Sequence, residues 1–246
     1  HVPVKRENYH PDFDKMEEAI SEKTSMILIN SPNNPTGAVY TPEEIKKIID
    51  FAERNDLWIL SDEIYATMTW VDWPHVSPAS LPGGFERTIV IGGWSKSWAM
   101  TGWRLGFLTG PENAMKALFK CHANAATHVP TFLMPAAEVA LSCKKEVAEM
   151  TDAFRERRQR IIENLKGIKG LRVPNPEGAF YVLMDITGTG MDDMTFAKRA
   201  LDEARVHLIP GSLMEKGDGL VRISYATSIE NIDEGCSRLK KWLNEL

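Results

Sequence analysis

An α/β fold built on a largely parallel sheet, followed by a smaller C-terminal α+β domain, is predicted by three features of the sequence. Short, continuously apolar runs alternate with helical patterns through the first two thirds of the chain, and polar or Gly-rich residues follow each run. Beyond about Lys166 the pattern changes to short strand-like runs interleaved with two helices. A boundary near the end of a long charged helix is therefore expected, giving a large domain over 1–165 and a small one over 166–246.

Taken in order, His1–Val4 reads as the end of a strand, and Asp14–Ser21 has helical apolar spacing. Ser25–Asn30 (SMILIN) is apolar enough for a buried parallel strand. Thr41, Pro42 and Glu44 spell a capping box with proline at the first helical position, so a helix should start there and run to about Asn55. Leu57–Ser61, Thr88–Gly92 and Leu105–Thr109 are three further buried-strand candidates. Two helices are predicted between Pro111 and Met150, and the long charged helix reaches about Lys166. In the small domain, strands are expected at Leu171–Val173, Ala179–Ile186, Val206–Ile209 and Val221–Tyr225, with helices at Thr195–Ala204 and Ile229–Leu246. Ligands collect at the carboxyl ends of the strands in open parallel sheets, so the loops after Asn30, Ser61 and Gly92 are where chemistry should sit.

Composition narrows the function classes. Of 246 residues, 43% are hydrophobic and 26% charged, which is the balance of a soluble globular protein. A net charge of -5 disfavours a nucleic-acid surface, which needs clustered Lys and Arg. Cys121, Cys143 and Cys236 have neither disulfide-framework nor zinc spacing, and the six histidines lack metal-ligand spacing, so no metal is expected and a reducing cytoplasm is. No apolar run is long enough for a membrane span.

Four segments could carry chemistry. The loop Ser31-Pro-Asn-Asn-Pro-Thr-Gly37 follows a strand and could be a rigid site loop or a simple turn. Ser61-Asp-Glu-Ile-Tyr65 closes the next strand with Asp62 at its buried end, where a carboxylate is costly unless it meets a cation; helix capping is the alternative. In Gly92-Gly-Trp-Ser-Lys-Ser-Trp, Lys96 sits among tryptophans, with Arg104 further on. Ser95 occupies the place where a nucleotide P-loop requires Gly before its Lys, which excludes that motif. Lys96 is either a surface lysine or an amine desolvated enough to act as a nucleophile. Finally, Arg222 lies inside a strand, either on an exposed edge or facing a cleft, where its planar fork would suit a carboxylate.

The order and spacing of SPNNPTG, SDEIY, SK-x-x-x-M-T-G-W-R-L-G, PEGAFY, PGS and VRISYA resemble the class I/II aminotransferases of the pyridoxal-phosphate-dependent fold type I enzymes, of which aspartate aminotransferase is the familiar member. The resemblance covers the whole chain and implies a three-layer sandwich with a mostly parallel sheet. It implies that Lys96 holds pyridoxal 5′-phosphate as a Schiff base and shuttles the substrate Cα proton, and that Asp62 pairs with the pyridinium nitrogen. Tyr65 and Asn34 would hydrogen-bond the ring's phenolic oxygen, Ser95 and Arg104 would hold the phosphate, Arg222 would bind the substrate α-carboxylate, and Asn34 would also contact the substrate. Gly37 would allow a tight turn beside the ring, and Asn34-Pro35 is a candidate cis bond. Gly93 departs from the family, in which a phosphate-binding Ser often stands at that position.

The expected reaction is transfer of an amino group from an L-amino acid, aspartate or an aromatic one, to a 2-oxo acid such as 2-oxoglutarate, in a homodimer with a shared active site. A carbon–sulfur lyase, an aminocyclopropane-carboxylate synthase-type enzyme and the sensory domain of a transcription regulator are the alternatives that use the same anchors. Family members are longer at the N-terminus, where they carry a small-residue phosphate loop, a ring-stacking aromatic and a tyrosine donated across the dimer. The chain is therefore expected to be a fragment.

Overall fold

The computed structural model describes residues 1–214 and 216–246, which form two compact units. One comprises Met16–Pro32 and Val39–Thr151; the other comprises His1–Lys15, Asn33–Ala38 and Asp152–Leu246.

The first unit is built on a four-stranded sheet of β1 (Met26–Asn30), β2 (Trp58–Asp62), β3 (Thr88–Gly93) and β4 (Gly106–Thr109), in that spatial order. β1, β2 and β3 are parallel, and β4 returns antiparallel to β3. The register aligns Asn30 with Asp62 and Asp62 with Ile91, so the carboxyl ends of the three parallel strands lie side by side. The helix α1 (Phe13–Ala19) leads into β1, and α2 (Pro42–Arg54) connects β1 to β2.

The α2 helix begins where the capping box predicts. The Thr41 hydroxyl accepts the Glu44 N–H and the Glu44 carboxylate accepts the Thr41 N–H, leaving two fewer orphan donors. Its apolar stripe of Ile45, Ile48, Ile49 and Ala52 is buried and the helix packs against β2. The Arg87 guanidinium donates to Ala52 O and Leu57 O, fastening the end of α2 to the start of β2. After β4 the chain continues through α3 (Glu112–Ala125), α4 (Met134–Ser142) and α5 (Lys144–Leu165).

Two strands differ from expectation in their burial. In β1 only Ile29 is buried, whereas Leu28 is 66% exposed, and every residue of β4 is exposed. Both are edges of the described sheet, so each pairs on one side only. In β1 the two faces alternate between covered and open, as a half-buried strand does. An apolar run identifies a strand here without identifying its place in the sheet.

The second unit carries an antiparallel sheet in the order β5 (Tyr181–Asp185), β7 (Leu220–Ser224), β6 (Ile209–Pro210), with α6 (Asp193–Asp202) and α7 (Ile229–Asn244). Its core gathers Ile161, Leu165, Met184, Phe196, Tyr225, Leu239 and Trp242. The buried Tyr225 hydroxyl donates to Ala179 O. The strand expected at Leu171–Val173 is a single bridge between Arg172 and Asp185, and the one expected at Val206–Ile209 is reduced to Ile209–Pro210. Likewise Val4 makes only a bridge to Pro11. Short apolar stretches of this kind pack into the core without extending a ladder: Val206 and Leu208 are buried with no strand pairing of their own.

Replacing Thr41 with Ala removes the hydroxyl half of the capping box and should lower stability by about 1 kcal/mol. A shift in the denaturant midpoint with an unchanged slope is the expected reading.

Candidate active site

The predicted site residues fall into two groups. Asp62, Tyr65, Ser95, Lys96 and Arg104 belong to the sheet unit, and Asn34 and Arg222 to the other.

In the sheet unit, β2 ends at Asp62, whose carbonyl accepts the Ser31 N–H and the Asn30 side-chain amide at 3.0 Å. The Asp62 carboxylate accepts the Ile64 N–H at 3.1 Å. Burial pushes its pKa up, the Ile64 N–H partly offsets this, and the neighbouring Glu63 charge adds to the rise. Among the described residues, no Lys, Arg or His forms an ion pair with Asp62. Tyr65 is 3% exposed, and its ring centroid lies 5.8 Å from Lys96 Nζ. The Thr67 hydroxyl donates to Ser97 Oγ at 2.7 Å, tying this turn to the lysine loop.

The lysine loop leaves β3 at Gly93 and is riveted to α4. The Trp94 indole donates to Ala137 O and the Trp98 indole to Ala140 O, at 3.0 and 2.7 Å. Lys96 is half-buried between them in sequence. Thr101 Oγ1 donates to Ser95 O, and the Arg104 guanidinium donates to Thr101 O, both at 2.9 Å, so Thr101 links Ser95 to Arg104. Arg104 stands in the left-handed region with φ 55° and, among the described residues, has no carboxylate partner.

Gly93 has a packing reason. A Cβ there would lie 2.9 Å from Leu105 O and 3.1 Å from Gly106 Cα, so the crossing of β3 and β4 leaves no room for a serine without movement. Gly92 is tighter still, because the Phe107 ring covers it.

In the second unit, residues 33–38 form a turn closed by bonds of Asn33. The Asn33 side chain accepts from Thr36 N and Oγ1, and Asn33 N donates to Ala38 O. The Asn34–Pro35 bond is cis, as is Ser31–Pro32, which the sequence reading did not anticipate. Gly37 has φ 75° and a Cβ there would meet Pro176 Cβ at 2.7 Å, so two constraints require glycine. Its carbonyl accepts the N–H groups of Glu177 and Gly178.

Arg222 lies on β7, the central strand of its sheet. Its guanidinium sits 4.6 Å from the Tyr181 ring centroid and donates to Asn34 Oδ1 at 2.8 Å, while its buried Nε–H has no acceptor among the described residues. A planar fork held on one arm, with a dry unused donor, is suited to an incoming carboxylate.

Two polar pairs went unread in the sequence. His10 Nε2 and Glu177 Oε2 are 2.8 Å apart in the second unit. In the sheet unit, Glu63 meets His75, Ser61 and Ser77. His10–Glu177 and Glu63–His75 are 167 and 12 positions apart, so no local pattern could have joined these pairs.

Residues 1–239 match the family described as "Aminotransferase class I and II". The chain is 41% identical over 249 residues to the aromatic-amino-acid aminotransferase 2 of Thermococcus litoralis, covering 99% of this chain and 64% of that one. It is 42% identical over 247 residues to the aspartate aminotransferase of Pyrococcus horikoshii, covering 98% and 63%. The crystal structure of an aromatic aminotransferase from Pyrococcus horikoshii superposes with a TM-score of 0.96 at 40% identity, covering 99% of this chain and 66% of that one. The aspartate aminotransferase of Thermotoga maritima gives a TM-score of 0.92 at 37% identity, covering 99% and 63%. The chain thus spans less than two thirds of the length of the curated relatives it matches. With the motifs in order, the fold superposable and the match running over nearly every residue, the chain belongs to the class I and II aminotransferases, a pyridoxal-phosphate-dependent family of fold type I.

Proposed function

We propose that the protein carrying this chain transfers an amino group from an L-amino acid to a 2-oxo acid, using pyridoxal phosphate held at Lys96. The observation that carries this reading is Asp62, a carboxylate penalised by burial that no cation of the described residues neutralises. A protonated ring nitrogen is the kind of partner such a group lacks. Arg104, exposed and without an acidic partner among the described residues, fits a phosphate, and the orphaned Nε–H of Arg222 fits a carboxylate.

Bound pyridoxal phosphate supplies a carbonyl carbon for amine capture and a ring that takes up the electron pair left when a Cα proton departs. The roles proposed for the side chains are those the family resemblance implies. Lys96 Nζ would hold the group and move the substrate Cα proton. Asp62 would keep a proton on the ring nitrogen. Tyr65 and Asn34 would hydrogen-bond the phenolic oxygen, while Ser95 and Arg104 would bind the phosphate. Arg222 would take the substrate α-carboxylate, with Asn34 Oδ1 holding one arm of its fork.

For the donor, aspartate or an aromatic amino acid is the reading, with 2-oxoglutarate as acceptor; relatives named aspartate, aromatic-amino-acid and aspartate/prephenate aminotransferase support it. We further propose a homodimer with a shared active site in the cytoplasm. Exposed Phe119 and Phe132 on the sheet unit and three unpaired cysteines agree with a covered surface and a reducing setting.

Borohydride should fix pyridoxal phosphate covalently to the wild-type protein and fail to do so in Lys96→Ala, as read by intact mass. An adduct persisting in that variant would refute the assignment of Lys96. A panel of donors with 2-oxoglutarate, scored by product formation, tests the substrate class; lyase products or no turnover would sink the transaminase reading.

For Asp62→Asn, the sign follows from burial. The raised pKa means the ionised form is penalised in the fold, a cost fully present above the folded pKa and absent below the ordinary carboxylate range. The cofactor-free variant should therefore match or exceed the wild-type Tm at neutral pH, and this difference should shrink as the pH falls through the folded pKa and be gone below the ordinary carboxylate range. Affinity for pyridoxal phosphate should meanwhile drop about tenfold or more. Arg222→Lys should raise KM for the amino acid by about tenfold, because one ammonium cannot replace a two-armed fork.

A further inference from the structure

We propose that Glu63 and His75 form a positioning pair that fixes the strand-end turn from which Asp62 and Tyr65 reach pyridoxal phosphate; this rests on the cofactor roles given above. Glu63 is adjacent to Asp62 in sequence, yet the two carboxylates have opposite fates. Asp62 accepts one backbone N–H and meets no cation among the described residues. The Glu63 carboxylate is filled: Oε1 accepts from Ser61 Oγ at 2.9 Å and Ser77 Oγ at 2.6 Å, and Oε2 lies 2.9 Å from His75 Nε2.

The side chains of His75 and Glu63 are only 12% and 10% exposed, and the Ser61 residue is buried. Filling a carboxylate this far in a nearly dry place fixes its direction, and a carboxylate so fixed holds the backbone that carries it. That backbone is pinned a second time, because the Glu63 N–H donates to Ile91 O of β3, the strand that runs into the lysine loop. From Glu63 the chain turns at once. Ala66 N donates to Glu63 O and Met68 N to Tyr65 O, so Tyr65 is presented from a turn whose first carbonyl belongs to Glu63.

The other end of the pair lies in the segment after Trp70. Ser77 stands immediately before the short helical turn Pro78–Ser80, which packs against β3. One residue therefore joins β2 and this segment through its side chain, and β3 through its backbone, behind the turn that carries Asp62 and Tyr65. A glutamate that merely capped a loop would need only Ser77; the bonds to Ser61 and His75 add constraint on the strand end itself.

The test uses the protein carrying this chain, loaded with pyridoxal phosphate, and compares Glu63→Ala, Glu63→Gln and His75→Ala. The cofactor dissociation constant and the visible circular dichroism of the bound cofactor are read beside the Tm of each cofactor-free variant. Glu63→Ala should weaken cofactor binding about tenfold and change the dichroism, and His75→Ala should move both in the same direction. Glu63→Gln should stay within about threefold of wild type, because the amide oxygen still accepts from both serines. Wild-type affinity and dichroism in both alanine variants, even with a lowered Tm, would reduce the pair to a loop anchor and overturn the proposal. Should Glu63→Ala fail to fold, His75→Ala decides by the same two readings. Asp62→Asn, measured alongside, separates the two ideas. Unchanged affinity there removes the cofactor role of Asp62 itself, whereas a loss confined to Asp62→Asn sinks only the positioning pair.

Discussion

Parallel pairing of β1, β2 and β3 in a register that aligns Asn30, Asp62 and Ile91 is the constraint on which the candidate site depends. Each strand then delivers its following loop to the same edge of the sheet. Ser31 and Asn30 bond to the Asp62 carbonyl, and the Glu63 N–H to Ile91 O, so the three strand ends are tied laterally as well as aligned. A one-residue slip would turn Asp62 to the other face and leave the turn without these ties.

Electrostatics divides labour among the groups so gathered. Among the described residues, the sheet unit offers a half-buried carboxylate with no counter-cation and an arginine without an acid, and the second unit an arginine with an unsatisfied buried donor. The half-buried Lys96 amine lies near the Tyr65 ring. Structural ion pairs elsewhere are complete, as at Arg160–Asp233 and Arg199–Glu203. Unfilled valences are costly in a fold and persist where a ligand completes them.

Much of this was legible in the sequence, for identifiable reasons. Thr41-Pro42-Glu44 encodes its helix start through bonds within four residues, and the structure contains both. The strands were visible as apolar runs; Asp62 and Lys96 stood out because such runs end at or shortly before them, and Arg222 because it is a charge inside one. Burial of β1 and β4 was not legible, since Leu28 and Leu108 are apolar whether or not anything covers them. Nor was the partnership of Glu63 with His75, which depends on how the segment after Trp70 folds back. The packing need for Gly93 was equally hidden, because it comes from the antiparallel return of β4.

The rivets of the lysine loop involve the indole nitrogens of Trp94 and Trp98 and carbonyls of α4, and the Lys96 side chain takes no part in either. Architecture and the reactivity proposed for Lys96 are thus written in different residues of the same short segment. Natural divergence can accordingly exchange the amine for another group without dismantling the loop, so a chain that has lost its chemistry can keep the shape of the cradle.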